Sequence, residues 1–221
     1  TLEEMQLKLA LEISKTGKPV VLLLLEGRPR IISNIEARAK AVVVSFLPGM
    51  EGAHAIADIL FGDVNPNAKM PVSYPRYVND FVHYDHKYLE ERDGNVYNPQ
   101  YKFGHGLSYT TYEYRNLRLS KKKIKKGESV KAEVDVTNSG KRAGKESVLM
   151  YLSDLYASVS PCNKRLKGFE KIHLEPNETK TVEFIIAPEH MTFIDLNLKP
   201  VIEKGKFIVS VENLKTEFEL S

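Results

Sequence analysis

The spacing of apolar residues changes once along this chain, and that change limits the fold more than any single motif does. From Asn116 onward the apolar positions alternate with polar ones. Val130, Ala132, Val134 and Val136 are interleaved with Lys131, Glu133 and Asp135, and Val148, Met150 and Leu152 keep the same period. So do Val182, Phe184 and Ile186, and then Phe207, Val209 and Val211. A period of two places one residue set on each face of a strand. Turns fall at Asn138-Ser139-Gly140, Pro176-Asn177-Glu178 and Lys204-Gly205. About seven such strands within residues 116–221 predict an antiparallel β-sandwich of immunoglobulin or fibronectin type III kind.

Residues 1–75 have a different period and read as α/β. Thr1 and Glu4 have the spacing of a capping box. Leu2, Met5, Leu9 and Ile13 then recur at helical spacing, with Leu7 and Leu11 widening a stripe expected to be buried. Gly17 and Pro19 end that helix. Val20 to Leu25 is apolar without alternation, as in a strand covered on both faces. After Glu26-Gly27-Arg28-Pro29, residues 31–39 suit a short helix, and Ala41 to Leu47 a second buried strand. Pro48 and Gly49 break it, and Ala53, Ile56, Ala57 and Leu60 line one face of a helix ending at Gly62. Such β-α-β-α order implies a parallel sheet flanked by helices. Between the two regions, residues 76–115 form a connector crowded with Tyr77, Tyr84, Tyr88, Tyr97, Tyr101, Tyr109, Tyr112 and Tyr114. So many rings suit an ordered segment packed on its neighbours, with Glu91-Arg92-Asp93-Gly94-Asn95 as the exposed tip that a protease should cut first.

Composition excludes several function classes. Thirty-two Lys and Arg against 29 Asp and Glu leave a net charge of +3, which gives no reason to expect a nucleic-acid partner. The one dense basic run, Lys121, Lys122, Lys123, Lys125 and Lys126, sits beside Gly127 and reads as a solvated turn. Cys162 is the only cysteine, so no internal disulfide and no cysteine-based metal site can form; it is expected to be a free thiol without a catalytic role. Val20 to Leu25 is too short to span a membrane. Thr1 opens no signal peptide, and the chain reads as part of a longer protein. The compartment stays open, with a periplasmic or secreted location favoured over a cytoplasmic one.

Chemistry is harder to locate. There is no G-x-S-x-G elbow, no P-loop and no dinucleotide fingerprint, and no cofactor is expected. Gly49-Met50-Glu51-Gly52 follows a strand and opens a helix, where backbone N–H groups can meet an anion; tight packing of the turn explains it as well. His83 and Tyr84-Asp85-His86 offer imidazole and carboxylate in one loop, but neighbouring residues seldom supply a metal site alone, and no metal is expected. Glu26 and Glu51 each follow a strand at its C-terminal end, the edge where open α/β sheets gather ligands. Two carboxylates there suit a glycosidase pair in principle. Equally, Glu26 can cap its turn and Glu51 can favour its helix dipole. Spacing alone leaves both open.

Several segments resemble the second half of family 3 glycoside hydrolases. Gly17 to Val21 and Glu26-Gly27-Arg28-Pro29 are similar to the family's strand and turn. The most specific likeness runs from Leu47 to Gly52 and on through Ala55 to Asp63, then Asn65 to Val72. Lys102-Phe103-Gly104-His105-Gly106-Leu107-Ser108-Tyr109-Thr110 resembles the connector signature, with His105 where another aromatic is usual. Val136 to Gly140 and Leu166 to Lys171 are similar to the fibronectin-like domain. The resemblance implies a retaining mechanism with an Asp nucleophile in an N-terminal barrel and a Glu acid/base just before the helix that opens this chain. Neither is present, so no catalytic residue is carried over. Glu26, Arg28, Glu51 and His54 stand as candidate residues of the pocket edge. The implied activity is that of a β-glucosidase releasing terminal β-linked glucose from glucans or oligosaccharides, with β-xylosidase a close relative. The partner would be the missing barrel part and the ligand a carbohydrate. The alternative is a non-catalytic carbohydrate-binding or structural module.

Overall fold

Strict alternation over residues 130–138 becomes strand β5 (Val130–Asn138), whose burial alternates residue by residue in the computed structural model. The structure describes residues 1–87 and 97–221, so the expected protease-sensitive tip at 91–95 lies outside the described residues. The chain is mostly β with few helices, and its contacts divide it into two units. Residues 76–115 contribute to both.

The larger unit is built on two sheets. One orders β4 (Lys123–Ile124), β12 (Leu214–Leu220), β11 (Gly205–Val211), β6 (Gly144–Asp154) and β7 (Arg165–Leu174). The other orders β3 (Tyr112–Leu119), β5 and β8 (Thr179–Ile186). All pairings are antiparallel except the short parallel contact of β12 with β4. The inward residues of both sheets share one core, including Val134, Val136, Met150, Phe184, Phe207 and Phe218, because an alternating strand can hide only one of its faces. Gly168 marks a close approach of the sheets: a Cβ there would stand 2.7 Å from Phe184 Cδ1. Among the described residues seven strands have seven residues or more, as the alternation predicts; β4, β9 (Phe193–Ile194) and β10 (Pro200–Val201) are two-residue additions.

One boundary differs from the sequence reading. The alternation begins at Tyr112, inside the presumed connector, with Tyr112 and Tyr114 packed against the core. The register then shifts between Arg115 and Arg118, and Asn116 takes φ 56°, so Leu117 and Leu119 face inward next. A bulge that swaps the inward set from even to odd positions hides the period.

The segment 65–69 belongs to this unit. Asn65 Oδ1 accepts the Ser108 hydroxyl at 3.0 Å and the Tyr109 N–H at 2.8 Å. Lys69 Nζ lies 3.0 Å from Glu146 Oε1, which also takes the Tyr114 hydroxyl at 2.8 Å. Burial first, and then the Glu146 charge, push the Tyr114 phenol well above its usual range.

In the smaller unit, β1 (Val21–Leu24) pairs in parallel with β2 (Ala41–Val44). Helix α1 (Glu4–Ser14) and helix α2 (Gly52–Phe61) complete it, and residues 36–38 form a single 3₁₀ turn where a longer helix was expected. Three further expectations fail, two of them for one reason. The stripe of α1 is only half covered: Leu2, Leu7 and Leu11 pack, with Ala10, on Leu24, Ile32, Ile35 and Tyr74 as expected, while Met5 (63%), Leu9 (62%) and Ile13 (44%) are exposed. Strand β1 is covered on one face only, with Val21, Leu23 and Leu25 open to solvent. Both elements carry apolar residues on two faces, and among the described residues only one of those faces meets a partner. The third is the cap of α1, which starts at Glu4 with Glu3 as N-cap and no side-chain cap bond, so the Thr1–Glu4 box is not formed.

Candidate functional site

A parallel pair places both of its strand-to-helix turns at one edge, the C-terminal one. Residues 25–30 leave β1 and residues 45–51 leave β2 there, tied by Glu26 N–H to the Phe46 carbonyl at 3.0 Å and Ser45 Oγ to the Leu24 carbonyl at 3.0 Å. The four sequence candidates at this edge fare differently. Arg28, Glu51 and His54 are exposed. Glu51 sits at the N-cap of α2 without a side-chain cap bond. Glu26 is buried, 8% exposed, and belongs to the packing of the turn.

Its anchor, Tyr74, was not singled out by sequence reasoning. Tyr74 is fully buried, and its Oη lies 2.9 Å from Glu26 Oε1, 2.6 Å from the Arg30 carbonyl and 3.2 Å from the Arg30 N–H. One hydroxyl proton cannot serve both oxygens at once. The Tyr74 hydroxyl is shared between the Glu26 carboxyl and the Arg30 carbonyl, while the Arg30 N–H donates to the phenol oxygen. Burial, the largest influence, raises the Glu26 pKa, against smaller opposing effects from Tyr74 and Arg30. Burial and the Glu26 bond push the Tyr74 phenol above its ordinary value as well. Tyr101 packs edge-on to Tyr74 with ring centroids 5.7 Å apart; its own hydroxyl, 3.1 Å from Glu36 Oε1, has a pKa pushed up to about 12 by burial and that carboxylate.

A pH effect follows from Glu26. The folded chain keeps the Glu26 proton to a higher pH than the unfolded chain, whose carboxyl titrates near 4.5. The contribution of Glu26 to stability is therefore fully present below that value and is lost as pH rises through the folded-state value. Glu26→Gln should remove this loss. Hydrogen exchange of residues 22–30 should accelerate, beyond its intrinsic pH dependence, from acid to neutral pH in the native chain and not in the variant; equal acceleration in both would contradict the assignment.

Other sequence signals resolve into structure. Gly52 is required by packing, since a Cβ there would stand 2.4 Å from Pro48 Cβ. His86 is buried with its Nε2 3.4 Å from Asn163 Nδ2, and His83 stacks edge-on to Phe81 at 4.2 Å. Among the described residues, no group of three or more His, Cys, Asp or Glu side chains stands close enough to hold a metal. Lys121 and Lys123 of the basic run pair with Glu128 and Glu219, each at 3.2 Å. No helix is long and apolar enough to cross a membrane among the described residues.

Comparison with known proteins settles the affiliation. Residues 1–109 match the glycosyl hydrolase family 3 C-terminal domain, and residues 146–214 match a fibronectin type III-like domain. The chain belongs to family 3 of the glycoside hydrolases. It is 41% identical to the periplasmic β-glucosidase of Salmonella typhimurium over 96% of its own length and 29% of that protein's. It is 42% identical to the lysosomal β-glucosidase of Dictyostelium discoideum (91% and 26%), and 39% to a β-xylosidase of Formosa agariphila (93% and 30%). The solved β-glucosidase of Listeria innocua in complex with glucose superposes with a TM-score of 0.90 at 33% identity, covering 100% of this chain and 33% of that one. The chain thus spans less than a third of the length of these curated relatives. It corresponds to the C-terminal portion of a family 3 enzyme.

Proposed function

We propose that this chain forms one wall of the sugar pocket of a retaining β-glucosidase, with the rest of that enzyme supplying the nucleophile and the acid/base. The observation that carries this reading is identity above 40% to two β-glucosidases over more than nine-tenths of the chain. In the three-part division we infer, residues 1–75 contribute part of a helix-flanked parallel sheet, residues 76–115 connect, and residues 116–221 form a fibronectin-like sandwich. Arg28, Glu51 and His54 project from the strand edge where such sheets take ligands. Glu26 shapes the turn behind them. The barrel-bearing part is the proposed partner.

The bare apolar surface of the smaller unit supports that partner. Leu23, Leu25, Met50, Ile56, Leu60 and Phe61 line a groove of about 460 Å³, and Met5, Leu9 and Ile13 are open as well. Contiguous exposed apolar surface on this scale marks an interface. The strand preceding α1 and its neighbours would cover it. By topology, α1 runs back from that missing strand's C-terminal edge, so its N-terminus and an acid/base shortly before it would share the edge with Arg28 and Glu51.

Substitution in the complete enzyme tests the pocket wall. Arg28→Ala and Glu51→Ala should each change kcat/KM on an aryl β-glucoside by about tenfold or more, equal to ~1.4 kcal/mol of transition-state stabilisation. Lys215→Ala on the exposed face of the sandwich should not. Wild-type kinetics in both edge variants would remove these residues from the pocket.

A further inference from the structure

A cavity of about 50 Å³ opens in the β-sandwich among β6, β7 and the helical turn at 188–191, lined in part by Asp154, Cys162, Arg165, Lys167, His190 and Phe193. Hydrogen-bond donors dominate its polar lining. Lys167 is the extra residue of a β-bulge: Leu166 stands opposite Tyr151 and Gly168 opposite Met150, with Lys167 between them unmatched. Bulges re-aim side chains, and this one turns an ammonium toward a cavity where it finds no hydrogen bond or ion pair among the described residues. Burial, and next the nearby Arg165, hold its pKa below the usual lysine range. Arg165 directs one N–H at Cys162 Sγ, 3.3 Å away, a weak acceptor for a guanidinium. His190 Nδ1 accepts the Ala187 N–H at 3.3 Å, which puts the ring proton on Nε2 as a further donor. The one acidic side chain of the lining, Asp154, accepts the Tyr156 N–H at 3.2 Å and pairs with neither cation. Burial, with Glu203 nearby, raises its pKa.

We propose that this cavity binds a small oxyanion, the head of a phosphate, sulfate or carboxylate group, held by Arg165, Lys167 and His190 Nε2–H. Two cations brought together in a half-buried place repel each other, and among the described residues neither meets an anionic acceptor; an oxyanion relieves both defects. The volume of about 50 Å³ accommodates one such head, so a charged sugar would enter by its acidic substituent.

Side-chain ¹H–¹⁵N NMR of the 221-residue chain, at constant ionic strength, tests this with inorganic phosphate, glucuronate and glucose. Phosphate or glucuronate should shift the Arg165 and His190 resonances saturably, and glucose should not. Tighter binding of phosphate assigns an inorganic or phosphoryl ligand and tighter binding of glucuronate a sugar acid; either supports the site. Lys167→Gln should weaken binding by about tenfold or more, the worth of one bond to a charged group. Its melting temperature should not fall, because Lys167 makes no bond among the described residues that the fold would lose and its repulsion with Arg165 disappears. Asp154→Asn should tighten binding severalfold. Absence of a saturable shift, undiminished affinity in Lys167→Gln, or an equal response to glucose would overturn the proposal.

Discussion

Purified alone, the chain should hydrolyse an aryl β-glucoside no faster than buffer does. A retaining glycosidase needs two carboxyl groups about 5 Å apart across the scissile bond. Here Glu26 is buried behind its turn, and Glu51 stands exposed on a separate turn at the N-cap of α2. Since glycosidase rate enhancements lie among the larger ones, loss of both groups removes many orders of magnitude. Adding a chain that carries the barrel and the segment leading into α1 should restore turnover, provided the bare faces of α1 and β1 find their cover. Turnover by the chain alone, with contaminating enzyme excluded by titration with a mechanism-based inhibitor, would overturn the reading that this portion only shapes the pocket.

Lys69→Met should destabilise the β-sandwich unit by about 3 kcal/mol, the usual scale for removing one partner of a buried ion pair. Lys69 Nζ is 3.0 Å from Glu146, whose side chain is 7% exposed and also receives the Tyr114 hydroxyl. Without the ammonium, a buried carboxylate is left with a phenol for company. Losing both charges together should cost less: Lys69→Met with Glu146→Leu should recover a large part of the loss, since an apolar pair leaves no unpaired charge. Urea unfolding followed by tyrosine fluorescence measures both. A single variant within about 0.5 kcal/mol of the native chain would show that water already screens this pair.

The sandwich was legible because its strands are amphipathic with a period no helix can mimic, and because Val130 to Val136 needs only its own alternation to define an inward face. The parallel pairing of Val20–Leu25 with Ala41–Leu47 was legible in outline for a similar reason: an unbroken apolar run between turn residues has few other uses. Which face of each element is covered was not. Leu7 and Met5 are equally apolar, and only the packing of Leu7 on the cluster of Leu24 and Tyr74 separates them. Tyr74 illustrates the same limit for the site. It stands just before the tyrosine-rich stretch and nothing in its spacing distinguished it, yet it closes the turn around Glu26 from 48 positions away. Local spacing fixes periodicity, and hence element type, because backbone geometry repeats from residue to residue. Burial, proton sharing at Glu26 and the re-aiming of Lys167 by its bulge depend on which distant residues arrive opposite, and that is decided only when the chain has folded.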